Sequence, residues 1–379
     1  MLVTCAFATI YITQPVLPVL QAQFAIAPSV ASMSVSAVIV GMAVTTLPIG
    51  MLVDRYPARP LMIVGACTVA AAGAVCAATP SFPVLVGMRA VQGAFIPTLT
   101  TCVAAWLSRT LPAKALNVAM GTYVSATVAG GLGGRLLAGW AFPPEHWRYA
   151  FITVAGALFV VTLLVAPRLA EPAPTRPGRA ASTPILRLVR RRAQMLAQVA
   201  GFGAFGAFST LFNYFPFYLS RSPWDLSTPT ITALYLVYVA GLFMGPFAGR
   251  LGDRIGNGAV MAAGAIVLMI ALSATLVVSI PALIASLVGL CAGFFAIHAA
   301  AVGALNRDLE GERGKANALY TLFYYVGGAV GIAAGGELYA HFGWPGIVAV
   351  ALAMAVLPLG VGLVESRARG GPSRTTGEP

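Results

Sequence analysis

The chain has 379 residues, of which 59% are hydrophobic and only 9% charged, and its net charge is +12. Soluble domains carry about 25% charged residues, so this composition excludes a soluble protein. The apolar residues are gathered into runs of the roughly 20 residues needed to cross a ~30 Å hydrocarbon core.

Taken in chain order, the runs predict twelve membrane helices, at 2–21, 30–53, 60–79, 82–107, 115–140, 147–167, 194–219, 229–251, 258–280, 282–305, 316–340 and 345–365. The first begins at Met1 without the basic flank or small-residue cleavage site of a signal peptide. It is therefore expected to be a true first helix, its start open to truncation, and it carries the polar Tyr11 and Gln14. The second runs into Gly50-Met51-Leu52-Val53-Asp54-Arg55-Tyr56-Pro57-Ala58-Arg59. The fourth holds Arg89-Ala90-Val91-Gln92-Gly93. The fifth holds Tyr123, glycines at Gly121, Gly130, Gly131 and Gly134, and Arg135. A stretch rich in Pro, Ala and Arg follows the sixth, at 168–193, and reads as a linker with an amphipathic segment at 185–191. The seventh span contains Asn213 and Tyr214. The eighth ends in Gly249-Arg250-Leu251-Gly252-Asp253-Arg254-Ile255-Gly256. The tenth contains His298, and the eleventh Tyr324, Tyr325, Gly327, Gly331, Gly335 and Glu337. Cys5, Cys67, Cys76, Cys102 and Cys291 all lie inside apolar runs with no CxxC pair, and read as small buried hydrophobes rather than a metal or redox site.

The charge distribution excludes nucleic acid as a partner. Nineteen of the 23 Lys and Arg fall in alternate loops and the tail, from Arg55 and Arg59 to Arg367, Arg369 and Arg374. That is the positive-inside pattern, and it places both termini and the linker in the cytoplasm. The basic run at 190–192 is then a flank that can touch anionic lipid.

The chain also repeats itself at an offset near 200 residues. GMLVDR at 50–55 returns as GRLGDR at 249–254, VQGAF at 91–95 as CAGFF at 291–295, and GGRLLAGW at 133–140 as GGELYAHF at 335–342. The organisation is thus a six-helix bundle at 1–167, the linker at 168–193, a second six-helix bundle at 194–365 and a cytoplasmic tail at 366–379. Six helices per copy keep both copies in one orientation, as parallel repeats about an axis along the membrane normal.

Few residues could carry chemistry. Arg89 lies about 10 Å inside its span at 1.5 Å per residue, and a central arginine costs at least ~2.5 kcal/mol. It either snorkels outward or meets a partner or a wet cavity, where it could hold an anion or tune a proton acceptor. Arg135 and Glu337 each follow a Gly-Gly pair and face the same choice; the repeat sets them in equivalent positions. Glu337 is the one carboxylate placed within a span, and His298 is the other candidate proton carrier, since histidine titrates near neutrality. Gln14, Asn213 and Tyr214 mark a polar path, or else interhelical hydrogen bonds. No Walker loop or metal-ligand cluster occurs, so an enzyme or scaffold is the disfavoured reading.

The paired loops at 50–59 and 249–256 resemble the signature G-x-x-x-D-[RK]-x-G-x-[RK] of the major facilitator superfamily. They depart from it at Pro57, where glycine is usual, and at Ala58, where a basic residue is common. Arg89-x-x-Gln92-Gly93 resembles a signature of its proton-coupled members. The resemblance covers the whole chain. It is narrowest to the YnfM-like group of the twelve-helix drug:proton antiporter branch, through Gln14-Pro15, Thr210-Leu211-Phe212-Asn213-Tyr214, Ser222-Pro223-Trp224 and Gly293-Phe294-Phe295 with His298.

It implies an all-α membrane protein with twelve transmembrane helices in two pseudo-symmetric bundles, the major facilitator fold. It also implies a monomeric secondary transporter of the inner (plasma) membrane that moves a small organic solute by alternating access. The solute, protons and the lipid bilayer would be its partners, and a proton gradient rather than a cofactor its energy source. Gly50, Asp54, Arg55, Gly249, Asp253 and Arg254 would form gating loops. Gln14, Arg89, Gln92, Asn213, Tyr214, His298, Glu337 and Arg135 would line the substrate or proton path, because the first, fourth, seventh and tenth helices line the cavity in this superfamily. Acids are absent from the first and fourth spans, where many multidrug antiporters keep one. A neutral or anionic solute is therefore expected. Export is favoured over proton-coupled or facilitative uptake by the glycine spacing of the fifth span, although the usual Gly-Pro of the antiporter motif is missing.

Overall fold

The computed structural model describes residues 1–169, 189, 191–307 and 313–370. Eleven helices among them are long and apolar enough to cross a membrane. We number the bundle helices α1 (Leu2–Phe24), α2 (Met33–Arg55), α3 (Ala58–Ala78), α4 (Phe82–Thr110), α5 (Ala113–Leu136), α6 (Arg148–Val165), α7 (Arg192–Leu219), α8 (Thr228–Ile255), α9 (Asn257–Ala274), α10 (Ile280–Asn306), α11 (Arg313–Phe342) and α12 (Trp344–Gly370). Of these, α5 completes the twelve spans read from the hydropathy pattern. Most of the 168–193 linker, with the proposed amphipathic segment, lies outside the described residues. The last helix runs on to Gly370, past the expected boundary at 365, and 371–379 again lie outside the described residues.

Each half packs by the same rule. In the first, α1 lies on α5, α4 is sandwiched between α2 and α3, and α3 lies on α6. In the second, α7 lies on α11, α10 between α8 and α9, and α9 on α12. Small residues make these approaches possible, since lipid provides no hydrophobic drive between helices and van der Waals contact must replace it. A methyl group on Gly93 of α4 would overlap the backbone of Val38 in α2. Cys76, Cys102 and Cys291 are buried and Cys5 partly so, whereas Cys67 points outward from α3.

The helix packing corrects one register. String matching aligns 133–140 with 335–342 and so pairs Arg135 with Glu337. In the structure Gly130 and Gly134 seat α5 on the backbone of Thr4 and Ala8, and Gly327 and Gly331 seat α11 in the same way on Phe202 and Gly206. Arg135 is thus equivalent to Ile332, and Glu337 to the exposed Trp140. The strings mislead because each helix has two Gly-Gly pairs; the pair that touches the neighbouring backbone sets the register.

Alternating helix directions give the bundle two faces. The near face carries Met1 and the turns after α2, α4 and α8. The far face carries the turns after α1, α3, α5, α7, α9 and α11. The two halves meet at the far face. There α1 packs on α7, α2 on α11, and the end of α5 on the start of α8.

Candidate functional site

Three helices lose their regularity at one place on the far side. In α1 the α-helix stops at Tyr11, a 3-10 turn spans Gln14–Val16, and the helix resumes at Leu17. Pro15 has no N–H and cannot continue the ladder. In α8 a helical turn over Thr228–Leu234 gives way to a 3-10 segment at Tyr235–Tyr238 before Val239 restores the α-helix. In α5 the α-helix ends at Leu136 and a π turn follows at Leu137–Ala141. Single π turns are frequent at functional sites, and irregular backbone at membrane depth is tolerated only inside protein or along a cavity. Gly139 of the π turn is where the three helices touch: a Cβ there would collide with Thr232 Oγ1 of α8 and stand 2.9 Å from Pro15 Cβ of α1.

Arg135 lies one turn before Gly139, with 1% of its surface exposed. Its Nε donates to Gln14 Oε1 at 2.7 Å, its Nη1 to the Gly131 carbonyl at 2.8 Å and its Nη2 to the Tyr238 hydroxyl at 3.1 Å. The guanidinium carbon lies 4.0 Å from the ring centre of Tyr11, 4.4 Å from that of Tyr238 and 5.1 Å from that of Tyr235. A desolvated cation–π contact is worth about 2 kcal/mol, so the rings replace part of the lost hydration. No carboxylate is among its described partners. Gln14 and Tyr11 belong to the first half, Tyr235 and Tyr238 to the second. The cage is closed by both halves together.

Arg89, also fully buried, is held differently. Its Nε donates to Ser34 O at 2.8 Å, Nη1 to Thr9 O and to Gln92 Oε1 at 2.7 Å, and Nη2 to Ile10 O at 2.6 Å. Thr9 and Ile10 are among the last residues before the α1 break, where helix carbonyls lack intrahelical donors and carry the negative end of the dipole. Arg89 therefore caps the first segment of α1 and ties it to α2 and α4. Gln92 extends the tie, its Nε2 donating to Val69 O of α3 at 3.2 Å. Four of the five guanidinium N–H groups are used within one half, so snorkelling is excluded for Arg89 as it is for Arg135.

The remaining candidates do not join this cluster. Tyr214 donates to Ile332 O at 3.0 Å and binds α7 to α11. Asn213 is fully buried with neither amide atom paired. His298 is partly buried in the second half, its Nδ1 2.8 Å from the Tyr320 hydroxyl, with the rings of Phe294 and Tyr324 beside it. Glu337 is on the outside: its side chain is 75% exposed and its Oε1 lies 3.1 Å from Nε2 of His341, one turn along. Tyr235 and Tyr238 were not singled out from sequence. Their signal was there, two tyrosines three residues apart on one face of an apolar helix.

The model of the Major Facilitator Superfamily matches residues 1–244 and again 224–377. The chain belongs to that superfamily. It is accordingly a secondary transporter of small solutes, integral to the membrane and not an enzyme. The chain is 30% identical over 361 residues to the inner membrane transport protein YnfM of Escherichia coli, covering 94% of this chain and 86% of that one. It is 26% identical to the transporter YybF of Bacillus subtilis, over 93% and 88% of the two chains. A chloramphenicol resistance protein of Streptomyces lividans is 31% identical over 210 residues, about half of each chain (52% and 51%). Among solved structures, a bacterial homologue of the human lysosomal transporter Spinster, inward-facing and unoccupied, superposes with a TM-score of 0.79. It is 16% identical and covers 99% of this chain and 97% of its own.

In this superfamily member the expected gating loops stand at the near face. The backbone of Asp54 closes α2, but its side chain lies outside the described residues. Arg55, Asp253 and Arg254 are exposed, and a Cβ on Gly50 or on Gly249 would meet nothing within 4 Å. Among the described residues, no close helix approach is made at those glycines. The tight contacts between halves named above lie at the opposite face.

Proposed function

We propose that this transporter exports a small organic solute in exchange for protons across the cytoplasmic membrane, as a single chain, with the near face toward the cytoplasm. The observation that carries the reading is the Arg135 cage. A buried charge shared between the two halves at the closed face is exposed when the halves part, so transport and rearrangement act on the same group. The orientation rests on the positive-inside bias of the near-face loops. Export is supported by the glycine spacing of α5 and by the partial likeness to a resistance protein. With Glu337 on the outer surface, proton coupling is assigned to His298, the path candidate inside the bundle whose side-chain type titrates near neutrality. The loops at 50–59 and 249–256 would close the near face in the opposite state.

Reconstitution in liposomes with a pH-sensitive dye inside tests this. Adding a carried solute is expected to move protons in the opposite direction to the solute. Co-directional movement would assign symport, and solute flux without any pH change would remove the coupling. In a cysteine-free background, single cysteines near Gly50 and near Ser227 should be labelled reciprocally as solute is added.

A further inference from the structure

We propose that Arg135 receives the anionic group of the solute and that this group is a single carboxylate. The inference rests on the transport reading above and names its substrate class. A guanidinium has five N–H donors, and Arg135 uses three: to Gln14, Gly131 and Tyr238. Nη1 and Nη2 each keep one N–H with no acceptor among the described residues, matching in number the two oxygens of a carboxylate. Arg89 shows what a structural arginine looks like in this chain, with four donors spent on acceptors of one half.

Charge selects the class further. The guanidinium is buried with no counter-ion among its described partners, and a buried unpaired charge is costly. One monoanion neutralises it, whereas a dianion such as a phosphate monoester would reverse the sign. The surroundings select an organic anion over a bare ion. Beyond the Tyr11, Tyr235 and Tyr238 rings stand Phe208 and Phe212, their centroids 5.4 Å and 4.9 Å from that of Tyr238. The Phe208 and Phe212 rings are buried here and would offer flat apolar surface to the body of the solute once the halves part.

The backbone supplies the motion. The 3-10 segment carrying Tyr235 and Tyr238 belongs to the second half, while Arg135, Gln14 and Tyr11 belong to the first. When the halves part at the far face, the two tyrosines leave and the guanidinium opens to that side. A carboxylate held on its free N–H groups is thereby presented to that face.

The test uses purified full-length protein and a panel of aliphatic and aromatic monocarboxylic acids, each paired with its methyl ester. The expected result is that some acids raise the melting temperature while their esters do not, and that Arg135→Gln weakens acid binding by about tenfold or more. Arg135→Lys, which keeps the charge but not the planar fork, should retain part of the acid preference; it also serves if the glutamine variant does not fold. Equal stabilisation by acid and ester, or unchanged acid binding in a folded Arg135→Gln protein, overturns the assignment. So does a panel without any acid that stabilises. The transport reading is judged separately by the reciprocal cysteine labelling, which any carried solute, charged or not, can drive, so the two can fail independently.

Discussion

Nη2 of Arg135 and the hydroxyl of Tyr238 lie 3.1 Å apart across the boundary between the two halves. This bond is made by residues of different repeats and is expected to break if the far face opens. Tyr238→Phe removes the hydroxyl and keeps the ring. The loss expected for the far-face-closed state is about 1 kcal/mol, the net worth of one such bond. Labelling of a cysteine near Ser227 should then rise severalfold; unchanged labelling would mean the bond contributes nothing to closure.

Gly139, just past α5, touches both α1 and α8. Gly139→Ala adds a methyl group where Thr232 Oγ1 already stands, an overpacking that costs about 1–3 kcal/mol. The tighter clash, with Thr232, is between halves and should favour the far-face-open state, while the 2.9 Å approach to Pro15 lies within the first half. Thr232→Ala in the same chain should recover most of the loss, a coupling that a double-mutant cycle measures.

Arg89→Ala leaves the carbonyls of Thr9, Ile10 and Ser34 and the amide of Gln92 without their donor. A penalty on the order of 3 kcal/mol or more follows, read as a lowered melting temperature in detergent. Arg89→Lys should recover little, because one ammonium cannot reach acceptors spread over α1, α2 and α4. A stable Arg89→Ala protein that fails only in solute binding would return this residue to the transport path.

His298→Gln removes the titratable group paired with Tyr320. Solute flux should continue but lose its dependence on the proton gradient, measured with the dye-loaded liposomes. A variant whose proton movement equals that of the parent would show that another group carries the proton.

Glu337→Gln should leave transport unchanged and shift stability by no more than about 0.5 kcal/mol, the usual worth of an exposed i,i+4 pair. A coupling defect in this variant would contradict the outward placement of the carboxylate.

The amino-acid sequence by itself determined the class, the twelve spans and the two-fold repeat. Each depends on local composition: run length against bilayer thickness, charge against loop position, and strings that recur. It also brought out Arg89, Gln92, Arg135, Gln14 and His298, since polar residues in apolar runs are conspicuous. Their roles were not legible in the same way. Arg89 and Arg135 look alike in sequence, each a lone cation in a span. Only tertiary packing decided that the first is spent on carbonyls freed by the break at Pro15, and that the second keeps two donors at the boundary between halves. Glu337 stood out as the one carboxylate within a span, and helix packing places it on the outside. Tyr235 and Tyr238 became functional candidates only when α8 brought them over α5. The physical reason is that a burial cost can be read along the chain, whereas the partner that offsets it comes from a helix whose distance is set by glycine contacts more than a hundred residues away.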